Sequence, residues 1–174
     1  MNSLAVHHSV KIELIPYPRH EQLKKEVYDF LFQHKDKQRL RSSTGKFFSL
    51  TEWNLKFPEI EELKDYIVNF LKHLPSSLRW GSAGDFKFEN LWVNVYKHGE
   101  YTTSHEHTED LTMVYFLTDE AEHAPLLLDD SKTPIYPKEG LMALFPAYVY
   151  HSVPKHMSNH ERITLSGDIR RIKD

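Results

Sequence analysis

The chain has 174 residues, 40% of them hydrophobic, and sets 22 Lys and Arg against 25 Asp and Glu, a net charge of -3 with neutral His. Enough apolar material for a sizeable core excludes disorder as the main state, and near-balanced charge gives no electrostatic footprint for nucleic acid or an anionic membrane as partner. Cysteine is absent, which removes disulfides, thiolate metal sites and cysteine nucleophiles and leaves His and carboxylates to hold any metal.

No apolar run approaches the ~18 residues of a membrane span, and Met1 to Val10 lack a basic region followed by an apolar stretch, so the expectation is a cytoplasmic protein of one domain over 1–174. After Pro16 and Pro18, the apolar residues Leu23, Val27, Phe30 and Leu31 recur at helical spacing among Glu, Lys, Gln and Asp, which predicts an amphipathic helix over 20–34. The basic run Lys35 to Arg41 is expected to be solvated, and Arg39 to Asn54 reads as a loop or flap. Pro58 then sits where a first-turn proline is tolerated, Glu59, Glu61 and Glu62 favour the positive end of a helix dipole, and Ile60, Leu63, Ile67, Phe70, Leu71 and Leu74 form one face before Pro75 closes the helix.

Beyond that point the apolar period changes from 3.6 to 2. Strands are predicted near 90–97, 112–118, 125–129, 141–145, 148–153 and 161–169, with turn residues between them. The expected fold is mainly β with N-terminal helices: a helical part over about 1–80, then a jelly-roll or cupin-like β core over about 88–169 backed by the helices.

Twelve His raise a chemical question. His105 and His107 stand at i and i+2, and on extended backbone that spacing points both rings to one face, as two ligands of one metal require. His151 supplies a third ring from another predicted strand, the arrangement of a facial metal site with open positions opposite. In Glu161 to Gly167, Arg162, Thr164 and Ser166 alternate with Ile163 and Leu165, so one strand face carries a guanidinium and two hydroxyls. Turned inward, that face makes a carboxylate site; turned outward, it meets water.

These segments, in this order, resemble the iron(II)- and 2-oxoglutarate-dependent oxygenases, in particular a small bacterial and phage-type branch with HxH in place of HxD. The resemblance rests on Trp92 to Val95, Gly99 to His107, Leu111 to Leu117, Leu126 to Asp129, Gly140 to Pro146, His151 to Pro154 and Arg162 to Thr164. It implies a double-stranded β-helix, Fe(II) bound by His105, His107 and His151, and 2-oxoglutarate as cosubstrate with its distal carboxylate on Arg162, assisted by Thr164. Decarboxylation of the keto acid to succinate would drive oxidation of a C–H bond by O2. The substrate would be a small molecule, amino acid or peptide, and Asn94, Tyr96 and Tyr115 are expected to line the cosubstrate pocket. Trp92 is expected in the core.

At position 107 the familiar pattern carries Asp or Glu, and Glu109 shares the strand face if extension continues, so Glu109 is the alternative third ligand. Three neutral imidazoles would leave the metal at +2, which dianionic 2-oxoglutarate neutralises; a carboxylate ligand would give a net -1 complex. Charge does not choose between them, and the turning chain after Thr108 favours His107. His98, His123, His156 and His160 are expected in solvated turns, and His7 and His8 in a terminus without ligand spacing.

Two other readings compete. A cupin-type metal enzyme without 2-oxoglutarate shares the barrel, but Leu111, Tyr148 and Lys155 stand where its motifs expect Glu, Gly and Asn, and it gives Arg162 no role. A jelly-roll module binding carbohydrate or peptide would use the 13% aromatic content for stacking and make the His cluster structural.

Overall fold

Side-chain parity along the strands sorts this chain into two faces, and the sheets assemble around that sorting. The computed structural model describes residues 10–34, 45–46, 48–50, 57–74, 85–120 and 122–172. Expectations for His7, His8, Lys35 to Arg41, most of Arg39 to Asn54 and Pro75 fall outside the described residues.

One sheet has the order β1 (Glu13–Pro16), β9 (Leu141–Pro146), β6 (Leu111–Phe116), β11 (Arg162–Arg171), β4 (Phe86–Tyr96) and β3 (Phe48–Leu50). The other has the order β2 (Gly45–Lys46), β5 (Tyr101–His105), β10 (His151–Val153), β7 (Leu126–Leu128) and β8 (Thr133–Ile135). All of these neighbours pair antiparallel. The fold is a jelly roll, as expected.

Leu91, Val93 and Val95 of β4, Met113 and Tyr115 of β6, Met142 and Leu144 of β9, and Ile163 and Leu165 of β11 share the larger core with α1 (His20–Gln33) and α2 (Pro58–His73). Leu23 and Val27 of α1 and Ile60, Leu63, Ile67 and Leu71 of α2 are buried in it. Each such side chain contributes roughly 1.5–3 kcal/mol on burial, so both helices are held mainly by packing. Pro58 opens α2, with Glu59 and Glu61 in its first turn and Lys72 and His73 in its last, in line with the dipole.

The opposite parity faces the second sheet. Val114, Phe116, Ala143 and Phe145 meet Leu126, Leu128 and Val149 in a smaller core. On β11 and β4 the same face carries Arg162, Thr164, Ser166 and Asp168 beside Trp92, Asn94 and Tyr96, so the space between the sheets is polar on that side.

The predicted strands fall in place with shifted ends. Residues 148–150 are not part of β10: Val149 N–H donates to Pro146 O at 3.1 Å, and the chain turns before His151. Strands β1 and β8 carry no alternation strong enough to show in the sequence, being three or four residues long with a proline in each.

Candidate active site

His105 ends β5 and lies directly opposite His151, the first residue of β10. His107 follows two residues later, where its backbone N–H donates to Ala147 O at 2.9 Å. Ring centroids are 4.4 Å apart for His105 and His151, 5.1 Å for His105 and His107, and 5.2 Å for His107 and His151, the last pair stacked within 5°. One nitrogen of each ring lies within 4.8 Å of the others.

The remaining nitrogens fix the tautomers. His105 Nδ1 and His151 Nδ1 each stand 2.9 Å from a backbone carbonyl, those of Thr103 and Val149, so both protons reside on Nδ1. His107 Nδ1 is 2.8 Å from Asp168 Oδ1. In His105 and His151 Nε2 is left as the lone-pair nitrogen, and the carboxylate beside Nδ1 of His107 favours the same arrangement there although Oδ1 lies off the hydrogen-bonding direction. Burial pushes the His151 imidazole down to about 4 and moves His105 in the same direction. Both therefore stay neutral near pH 7, as metal ligands must.

Three converging imidazole nitrogens suit a divalent first-row metal such as iron, with the opposite positions left for small ligands. Glu109 does not join them. Its carboxylate is turned to Arg170, 3.4 Å away.

Trp92, expected in the core, is half-buried and stacks on His107 at 5.9 Å and 24°. Phe145 approaches the His151 ring edge-on at 5.1 Å.

Arg162, the first residue of β11, is 1% exposed. Its Nε donates to Ala124 O at 2.8 Å, and the guanidinium lies 5.0 Å from the Tyr96 ring centroid and 5.7 Å from that of Phe116. Among the described residues no carboxylate pairs with it, and Nη2 has no hydrogen-bond partner. Burial pushes its pKa down to about 10, opposed by Tyr96, so it remains charged at neutral pH. A buried cation without a counter-ion is costly, and a carboxylate-bearing ligand is what would offset that cost.

Thr164 is buried on the same face. Asn94 Nδ2 donates to Ser166 Oγ at 3.0 Å while its buried Oδ1 has no partner, and the Tyr96 hydroxyl meets Thr102 Oγ1 at 2.8 Å.

Tyr115 is the correction. It was expected beside the cosubstrate, but its parity is that of Met113, and it sits in the helix-side core with its hydroxyl 2.7 Å from His20 Nδ1. The sheet separates it from Arg162. The sequence could not show this, because every residue of β6 is buried and neither face is marked by polarity.

His123 and His156 also depart from expectation. Both are buried rather than solvated, with rings 5.0 Å apart, beside the Ala124 whose carbonyl receives Arg162. Burial lowers the pKa of His123, with His156 and Arg162 adding to the effect and Glu120 opposing it. His156 is held by donating Nε2–H to His160 O at 2.7 Å. Neither residue carries a motif that would have announced it.

A family model described as "Putative 2OG-Fe(II) oxygenase" matches residues 121–168, a stretch that includes His151, Arg162 and Thr164. Among solved structures, the viral collagen prolyl hydroxylase from Paramecium Bursaria Chlorella virus-1, in complex with 2OG, aligns with a TM-score of 0.72 at 17% identity, covering 92% of this chain and 96% of that one. A prolyl-4-hydroxylase from Pseudomonas putida aligns with a TM-score of 0.70 at 13% identity, covering 93% of each chain. HygX from Streptomyces hygroscopicus, with nickel, 2-oxoglutarate and hygromycin B bound, aligns with a TM-score of 0.68 at 8% identity over 93% of this chain and 83% of that one. No curated protein sequence matches the chain.

Proposed function

We propose that this chain is a 2OG-Fe(II) oxygenase that binds iron through Nε2 of His105, His107 and His151, anchors the distal carboxylate of 2-oxoglutarate on Arg162 and Thr164, and hydroxylates a C–H bond of a small molecule, amino acid or peptide. The observation that carries the reading is the Arg162 guanidinium, buried without a counter-ion among the described residues on the sheet face that also carries the contacts of His107. When bound, iron and the keto acid supply the oxidising chemistry with O2, which protein side chains cannot.

What the chain contributes is geometry and electrostatics. The backbone carbonyls of Thr103 and Val149 hold two imidazoles in the tautomer that offers Nε2. The Ala124 carbonyl fixes the plane of Arg162, leaving Nη2 to meet a carboxylate oxygen. Asn94 and Tyr96 line the pocket between these two ends, and Phe145 and Phe116 exclude water around it, which strengthens each charged contact. Solved neighbours that are prolyl hydroxylases, and one that holds hygromycin B, support leaving peptide and small-molecule substrates both open.

The proposal takes the chain as one catalytic domain working in the cytoplasm without nucleic acid. Among the described residues no helix is long and apolar enough to cross a membrane.

Anaerobic addition of Fe(II) and then 2-oxoglutarate tests the reading. A weak visible charge-transfer band is expected only with both present, and it should vanish in His151→Ala. No band in the wild type would sink it. A cupin-type enzyme without the keto acid predicts no band, and it leaves the buried charge of Arg162 with nothing to bind.

A further inference from the structure

The three imidazoles are not oriented alike. His105 and His151 give their Nδ1 protons to neutral backbone carbonyls, whereas Nδ1 of His107 faces a carboxylate, Oδ1 of Asp168, at 2.8 Å. Asp168 is 6% exposed. It follows Arg162, Thr164 and Ser166 at alternate positions of β11, and the register shift between Asp168 and Ile169 ends that run.

Its only other contact of hydrogen-bonding length among the described residues is a long one, Asn90 Nδ2 donating to Oδ2 at 3.4 Å. No described Lys or Arg pairs with it; Arg170, two residues on, is given to Glu89 and Glu109. A buried carboxylate is expensive unless positive charge faces it. Among the described residues the polar ring that faces Asp168 is that of His107, one of the three imidazoles gathered at the proposed metal site. Trp92 stacked on that ring restricts its rotation.

We propose that Asp168 is a positioning residue for the metal centre, whose carboxylate at Nδ1 of His107 supplies through the imidazole the negative charge that three neutral nitrogen ligands lack. The inference rests on the metal ligation proposed above. With Nε2 of His107 holding a cation, its Nδ1 proton would be a stronger donor, and Asp168 Oδ1, 2.8 Å away and without a hydrogen-bond partner among the described residues, is the acceptor placed to receive it. The carboxylate in turn makes His107 a better ligand. Asp168 is thus a group that acts on the metal through another residue.

Anaerobic Co(II) titration, followed by its visible spectrum, measures this without turnover. Asp168→Asn removes the negative charge with little change of side-chain shape, at the expense of the long contact from Asn90 Nδ2. It should weaken Co(II) binding ~10–100-fold while the metal-free protein melts where the wild type does. Asp168→Glu, which keeps the charge, should bind more tightly than Asp168→Asn.

The decisive comparison uses His107→Asp. With a carboxylate already at position 107, Asp168 becomes a repelling neighbour, so adding Asp168→Asn should leave Co(II) affinity unchanged or raise it. Equal weakening by Asp168→Asn in both backgrounds, or a matching fall in the melting temperature of the metal-free protein, would mean a structural role and overturn the proposal. Wild-type affinity in Asp168→Asn would overturn it while leaving the proposed function intact. Loss of binding in Asp168→Asn with full binding in His107→Ala would make Asp168 itself the ligand, which also overturns it. A wild type that binds no Co(II), or binds it regardless of His151→Ala, removes the metal reading and this inference together.

Discussion

Removing the Arg162 side chain takes away a buried cation, and its pocket offers no second positive group among the pairs described. Arg162→Ala should therefore cost cosubstrate binding about 3 kcal/mol or more, over ~100-fold in the half-saturating 2-oxoglutarate concentration, while Fe(II) binding without the keto acid changes little. Arg162→Lys should recover only part of this, because an ammonium cannot reproduce the planar fork that Ala124 holds in place. Equal loss of iron and keto-acid binding would identify the residue as a structural support. The pair His105 and His107 was legible because a period of 2 fixes their common side, and alternation in Arg162 to Ser166 placed three polar groups together. Asp168 was not legible, since it meets His107 only when β11 of one sheet is folded against the segment that follows β5 of the other. Tyr115 was misassigned because all of β6 is buried, so polarity could not say which parity faces the pocket.

Between elements, α1 is tied to the sheet by a chain of polar contacts. Tyr115 stands 2.7 Å from His20 Nδ1, His20 Nε2 lies 3.4 Å from Glu139 Oε2, and Lys24 Nζ is 2.5 Å from Glu139 Oε1. The roles follow from that order: the phenol donates to Nδ1, and Nε2–H points at the carboxylate. Gly140 makes the approach possible, with φ of 76° and a Cβ position only 3.2 Å from the His20 side chain. Tyr115→Phe should lower stability by about 1 kcal/mol in denaturant titration and leave the half-saturating 2-oxoglutarate concentration as it was. A large rise in that concentration would return Tyr115 to the pocket.

The same tie carries a pH dependence. Burial would raise the pKa of Glu139, but the hydrogen bond and charge of Lys24, with His20, outweigh it and hold the carboxyl below its ordinary 4.5. A depressed carboxyl contributes stability that is full above the unfolded value and fades as pH falls through the folded one. Glu139→Gln should accordingly flatten the loss of melting temperature on acidification below about pH 4.5, and an unchanged acid limb would refute the assignment. Both helices were legible nearly to the residue, because each couples a polar exterior to one apolar stripe. Strands β1 and β8 were not, because their pairing is decided by β9 and β7 rather than by their own composition.

For the whole molecule, the proposed ligands span the two sheets: His105 and His151 stand on the five-stranded sheet, Arg162 and Asp168 on the six-stranded one. Filling the site should therefore act as a cross-brace. Fe(II) with 2-oxoglutarate, each at ~100 times its dissociation constant, should stabilise the fold by at least about 2.7 kcal/mol, raising the melting temperature under anaerobic conditions, and chelation should reverse the shift. Keto acid alone should do much less. A shift given equally by 2-oxoglutarate without metal would place its binding outside the proposed pocket. The jelly roll was legible from short strands with turns between them, whereas the two-sided assembly of the site was not, since it depends on which strands lie across from one another.

The central position of β11, between β6 and β4, turns that strand into a ruler. Its alternate side chains carry, in sequence, the proposed anchor for one end of the keto acid and the proposed support for one metal ligand, while the residues between them belong to the greasy layer under the helices. Adding or deleting one residue there would swap the two sets wholesale, burying charge in oil and aiming isoleucine at iron. Chemistry of this kind can diversify by lengthening the connecting segments around the barrel, but this strand must keep its phase.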